Sequence, residues 1–204
     1  MTTPAPEHLV DRTAGLQPWR RLFHALTGVL VSVALVMLDL PRAAKLGMVG
    51  AVLVGMVVMD ATRLSNTKAN ALFFTVFRHV ASPREATGPA SSTWYALGIL
   101  LAVALFPLES AVSGILVLAL ADPAASYVGR RWGRRPFLGA SLEGTALFAV
   151  VAFAILALRH DPLTAAVGAV ATAAVERLSW PLDDNLTVPV AGAAVVTLLE
   201  AALR

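Results

Sequence analysis

Apolar residues run through this chain in blocks rather than in strict alternation. Seven blocks, at 22–39, 46–60, 94–108, 109–128, 142–159, 162–178 and 187–203, have nearly uncharged centres and end at charged residues, Pro or Gly. Such blocks suit helices surrounded by lipid, where every backbone N–H and C=O must be paired within its own segment. The pattern predicts an all-α fold, a polytopic transmembrane helical bundle of about seven spans. The last two blocks are rich in Ala and contain Gly, which lets helix backbones approach closely inside a bundle. Several blocks are short for a hydrocarbon core of about 30 Å, which predicts tilted, broken or partly inserted helices.

Two stretches differ. In "RLSNTKANALFFTVFRHV", Phe73, Val76, Phe77 and Val80 fall at i, i+3, i+4 and i+7, with Lys68 and Arg78 off that stripe. This predicts an interfacial amphipathic helix between the second and third spans. Residues 1–18 are polar and carry prolines, predicting an N-terminal tail, with 19–204 forming one membrane-embedded domain.

Composition strengthens the membrane assignment. The chain is 57% hydrophobic and 14% charged, against roughly 25% charged in an ordinary globular protein. Its mean hydropathy is +0.73. The high isoelectric point, near 9.9, does not imply a nucleic-acid partner. The net charge is only +3, and the basic residues cluster where apolar blocks end, as positive-inside topology requires. Without cysteine there is neither a disulfide nor a thiolate metal site. No oligomeric state follows from these features.

Counting basic residues sets the orientation. With the N-terminus inside, twelve of the sixteen Lys and Arg face the cytoplasm, and only Arg42, Lys45, Arg159 and Arg204 face away. Nine of the thirteen carboxylates lie on that same side, with Asp60, Asp122, Glu143, Glu176, Asp183 and Asp184 at block ends. Ionisable groups at membrane depth are costly, so their convergence predicts a functional site on the cytoplasmic face. A prokaryotic inner or plasma membrane is the expected location.

The stretch "LADPAASYVGRRWGRR" concentrates this chemistry. Asp122 precedes Pro123, which suits a helix start or a kink. Gly129 and Gly133 bracket "GRRWG", predicting bare backbone that an anion can approach, with arginines as forked donors. In "SLEGT", Ser141 is placed to cap the next helix and Glu143 lies in its first turn. Glycine-rich backbone next to a helix N-terminus is an anion site, although no P-loop pattern occurs.

With "DPAASYVGRRWG", "SLEGT" and "ERLSWPLDDNLTVP" in order, preceded by "RRLFHALTG" and "DATR", the chain resembles the CTP-dependent polyprenol kinases. That family includes dolichol kinase, phytol kinase and the CTP-dependent diacylglycerol kinase. One departure is Ala140, where relatives often carry a basic residue before S-x-E-G, leaving Arg134 or Arg135 as alternatives for that contact. The resemblance implies transfer of the γ-phosphate of CTP, or another nucleoside triphosphate, to the hydroxyl of a membrane isoprenoid alcohol or diacylglycerol. Phosphoryl transfer requires charge neutralisation and in-line positioning. We accordingly expect Asp122, Asp183 and Asp184 to bind Mg²⁺, with Glu143 and Glu176 in or beside the same shell. Arg63, Arg130 and Arg131 are expected to hold phosphates, Gly129 and Gly133 to frame the triphosphate with Ser141 at the helix start, and Asn185 to bridge phosphate or substrate oxygen. His24 or one of the aspartates would take the alcohol proton. A cytidylyltransferase forming a CDP-lipid is the enzymatic alternative, but its basic C-terminal signature is missing. A small transporter or scaffold would instead place polar groups at mid-membrane, where the span centres are nearly uncharged.

Overall fold

The computed structural model describes residues 6–179 and 181–203. Arg204, counted above among the outward-facing basic residues, lies outside them, as do Trp180 and the first five residues of the expected tail. The chain is almost entirely helical: α1 Glu7–Asp11, α2 Pro18–Met37, α3 Arg42–Ser65, α4 Thr67–Val76, α5 Ser91–Leu105, α6 Leu108–Trp132, α7 Leu142–Ala157, α8 Pro162–Leu178 and α9 Asp184–Ala202. A 3₁₀ turn at Pro83–Ala86 precedes α5. A small antiparallel hairpin, β1 Pro136–Phe137 with β2 Ala140–Ser141, joins α6 to α7.

Each predicted apolar block coincides with a helix. Among the described residues, α2, α3, α6 and α9 are long and apolar enough to cross a membrane. Helices α5, α7 and α8, at 15, 16 and 17 residues, are shorter. Together these apolar helices make the chain an integral membrane protein.

Helix α6 is the axis of the bundle. Its buried residues include Ser110, Ala111, Gly114, Ala119 and Ala121, and α2, α7 and α9 pack around it. A Cβ on Gly114 would lie 2.3 Å from the Pro189 carbonyl oxygen, and one on Gly192 would lie 2.9 Å from the Gly114 Cα. The α6–α9 crossing therefore depends on these two glycines, as close helix approach in lipid generally does. Helices α2 and α3 sit at the periphery, and Leu22, Leu26, Leu30, Val33, Val54, Val57 and Val58 are exposed.

Helix α4 occupies the predicted amphipathic segment, but the expected stripe is divided. Asn70, Phe73 and Phe74 turn inward, whereas Val76 and Phe77 stay exposed. Its buried face is set by the Arg63 guanidinium, which stacks 4.3 Å over the Phe73 ring.

Candidate active site

Three carboxylates on three helices meet at one end of the bundle. Oxygens of Asp122 on α6, Glu176 near the end of α8 and Asp184 at the start of α9 all lie within 4.8 Å of one another. Two adjoining cavities share Asp122, Asp184, Ser126 and Arg130 as walls. One, about 540 Å³, is lined by Arg20, Arg21, His24, Arg84 and Asn185. The other, about 430 Å³, is lined by Arg134, Arg135, Ser141, Glu176 and Arg177. Acidic oxygens thus face arginine donors across open space.

The local sequence explains how each carboxylate is presented. Pro123 lies inside α6 rather than at its start, so Asp122 projects from a continuous helix into which Pro introduces a missing N–H. Asp183 caps α9 by accepting from the Asn185 backbone N–H at 3.1 Å. The Asn185 side chain donates to Asp183 at 2.6 Å and to Asp184 at 3.2 Å, which fixes both carboxylates. Glu176 is paired with Arg177, its neighbour in sequence.

Several expected residues take other places. Asp183 lies outside the three-carboxylate group and pairs with Arg84 at 3.4 Å. The Glu143 carboxylate accepts from the backbone N–H groups of Arg134 and Arg135 at 3.1 and 3.3 Å, tying the hairpin to the start of α7. Asn185 spends its amide donors on the two aspartates, so it orients the acidic group rather than offering those donors to phosphate.

Arg63 is only 2% exposed and is used up structurally. It donates to Asp60 at 2.7 Å, to the carbonyls of Glu85 and Gly88 at 2.6 and 2.7 Å, and to the Asn70 side chain at 3.2 Å. Asp60 in turn accepts from the Ala90 N–H and the Thr93 hydroxyl, bracing the start of α5. A buried guanidinium surrounded by acceptors acts as a clamp on α3, α4 and α5, and Arg63 lines neither cavity.

The glycine stretch is helical rather than a loop. Gly129, Arg130 and Arg131 belong to the last turn of α6, and Gly133 caps it. A Cβ on Gly133 would come 2.5 Å from the Ser141 Cβ, and one on Gly129 would lie 2.9 Å from the Ser141 Oγ. These glycines seat the α7 start against α6, and both also line the smaller cavity. Ser141 does cap α7, accepting from the Gly144 N–H at 3.1 Å. Arg130 reaches both cavities, whereas the exposed Arg131 lines neither.

Other donors emerge only in three dimensions. Arg21 donates to the Ser126 hydroxyl at 3.0 Å, while its Nη1 is buried with no hydrogen-bond partner. Arg84 reaches the site from the 3₁₀ turn, and Arg177 from α8. Arg21 and Arg177 fall within the quoted motifs, but Arg84 had no local signal. The segment expected as a polar tail forms a wall: Thr13, Ala14 and Gly15 line the larger cavity, and the Gly15 carbonyl accepts from Arg130 at 2.9 Å. His24 stacks on Tyr95 with ring centroids 4.5 Å apart, and its buried Nε2 has no hydrogen-bond partner.

A comparison with known proteins agrees with the motif resemblance. The chain is 30% identical over 127 residues to CTP-dependent diacylglycerol kinase 1 of Schizosaccharomyces pombe, the match covering 52% of this chain and 58% of that protein. It thus spans less than two thirds of that relative's length. The chain matches no protein-family model. No solved structure matches it either.

Proposed function

We propose that this protein is an integral membrane lipid kinase that transfers the γ-phosphate of CTP to the hydroxyl of an isoprenoid-type lipid alcohol at the cytoplasmic face. The observation that carries the proposal is the meeting of Asp122, Glu176 and Asp184 within 4.8 Å, flanked by cavity-lining arginines. A closely spaced set of hard oxygen donors fits Mg²⁺, which when bound neutralises phosphate charge and orients the transferring group.

The chain's own residues divide the remaining work. Arg21 and Arg130, with Arg84, Arg134, Arg135 and Arg177 around the same space, supply donors for the triphosphate oxygens. Asn185 holds the carboxylates in place. His24 receives the alcohol proton at Nε2 as the hydroxyl oxygen bonds to the γ-phosphorus, the bond to the β-phosphate oxygen breaks and CDP leaves.

The decisive assay uses purified protein in detergent with CTP labelled on the γ-phosphate, offered phytol, geranylgeraniol, longer polyprenols or diacylglycerol. Label in the lipid fraction is expected with the isoprenoid alcohols. Label in pyrophosphate would instead identify a cytidylyltransferase, and label preferentially in diacylglycerol would replace the acceptor.

A further inference from the structure

An apolar cleft of about 430 Å³ runs alongside the polar site and shares two of its walls, Arg20 and His24. It exists because α2 packs on α6 while α3 packs on α5, so two consecutive helices stand apart along their length. Phe23, Val31 and Leu35 face Met48, Val52 and Met56 across the gap, with Ala96 and Ile99 of α5 as the floor. The walls are therefore almost wholly hydrocarbon and thioether, a surface that adapts to an irregular chain.

The two ends of the cleft differ. At one end Arg20 donates to the Ser91 hydroxyl at 2.7 Å, and Glu85 accepts from the same hydroxyl at 2.9 Å, closing a polar rim beside His24. At the other end the short link between Met37 and Arg42 joins the two walls, with Leu38 and Lys45 lining the cleft there. From His24 to Leu38 a helix rises by about 21 Å, so the cleft is a blind track most of a bilayer core in length.

We propose that this cleft holds the hydrocarbon tail of the acceptor, a single chain bearing a primary hydroxyl, with the hydroxyl at His24 and the chain end near Leu38. The assignment rests on the lipid-kinase reading above. It draws support from the continuity of the apolar track with the carboxylate cavity and from the unpartnered Nε2 at their junction. One track between one pair of helices accommodates one chain. The acceptor enters sideways from the lipid between α2 and α3, and the track acts as a ruler for chain length.

Two measurements test this. In the first, a twenty-carbon isoprenoid alcohol with a photoreactive group at its chain end is irradiated with the full-length protein in nanodiscs, without nucleotide. Cross-links are expected around Leu35, Leu38, Lys45 and Met48; labelling spread equally over the exposed Val150, Phe153 and Leu198 would overturn the proposal, and so would equal displacement of the label by diacylglycerol and by the unmodified alcohol.

The second uses Ala34→Trp and Val52→Trp to obstruct the track, the former about 15 Å beyond His24. KM for the twenty-carbon alcohol is expected to rise at least about tenfold, a loss of ~1.4 kcal/mol. KM for CTP and turnover of a five-carbon alcohol, too short to reach the obstruction, should stay unchanged. Equal loss with the short and long alcohols overturns the ruler. Cleft-specific cross-linking without phosphoryl transfer to any alcohol would overturn the kinase reading and leave the binding site standing.

Discussion

Charged groups gather at both ends of this bundle, and the two polar cavities described above lie at one of them. Away from the three-carboxylate site, Ser113 of α6 meets Arg159 at 2.8 Å and His160 at 2.8 Å, and His160 meets Glu200 at 2.7 Å. Ser113 is fully buried, and none of these residues lines the cavities described above. The Ser–His–Glu connectivity resembles a nucleophile with its base, but here these side chains and Arg159 satisfy one another. Arg42 likewise spends its donors on the carbonyls of Val103, Ala104 and Phe106, satisfying the orphan acceptors at the end of α5. The end with the cavities contrasts in that Asp122, Glu176 and Asp184 face space, and Arg21 and His24 keep buried atoms without partners. The difference lies in the cavities the carboxylates line, since Glu176 also pairs with Arg177 and Asp184 also accepts from Asn185.

Substitutions can break this contrast, beginning with the largest effect. Asp122→Asn should reduce kcat by about a thousandfold or more, since charge stabilisation dominates phosphoryl transfer. Detergent-solubilised protein should keep its thermal midpoint, and substantial residual turnover would remove Asp122 from the reacting centre. His24→Gln is expected to lower kcat by roughly 10² to 10⁴ while leaving CTP binding intact, the signature of a lost base. A change confined to KM for CTP would assign His24 to the nucleotide instead.

At the structural positions the expected loss is in stability. Arg63→Ala leaves Asp60 buried without its partner and should destabilise the fold by about 3–5 kcal/mol, read as a lowered unfolding midpoint. Protein that remains folded should bind CTP normally; a specific rise in KM for CTP would return Arg63 to the phosphate site. His160→Ala should cost a smaller ~1–3 kcal/mol through the broken Ser113–His160–Glu200 chain, with kcat per folded molecule unchanged. Loss of turnover at full stability would show that this opposite end takes part in the reaction.

The smallest effect sharpens the contrast within a single motif. Arg130→Ala should raise KM for CTP by about tenfold, the loss of one charge-assisted donor, while Arg131→Ala should leave it unchanged. Initial rates across a CTP series separate the two, and equal effects would show that cavity lining does not discriminate between these neighbours.

Much of this architecture was legible from sequence because hydrophobic blocks are local. The seven apolar stretches became helices, and Ser141 caps α7 as its place before "LEGT" suggested. The site was legible only in part. Asp122, Glu176 and Asp184 converge, but Glu143, adjacent to the same motifs, turns to the backbone of Arg134 and Arg135. Gly129 and Gly133, expected to frame an anion loop, lie instead in the last turn and cap of α6, where they approach Ser141 and line the smaller cavity. Arg84 was invisible because its 3₁₀ turn reaches the site through folding of the whole 77–90 connection.

By itself the sequence determined that this is a helical membrane protein, roughly where its apolar helices lie, and which stretches carry acidic and guanidinium groups. Those properties follow from composition and from spacing within one segment. Tertiary structure alone decided that Arg63 is consumed by Asp60 and two carbonyls, that His24 bridges an apolar cleft and a carboxylate cavity, and that Ser113, His160 and Glu200 pair with one another. Successive side chains around a helix differ in direction by about 100°, so neighbours in sequence face different surroundings, and only the packed rotation of each helix selects their partners.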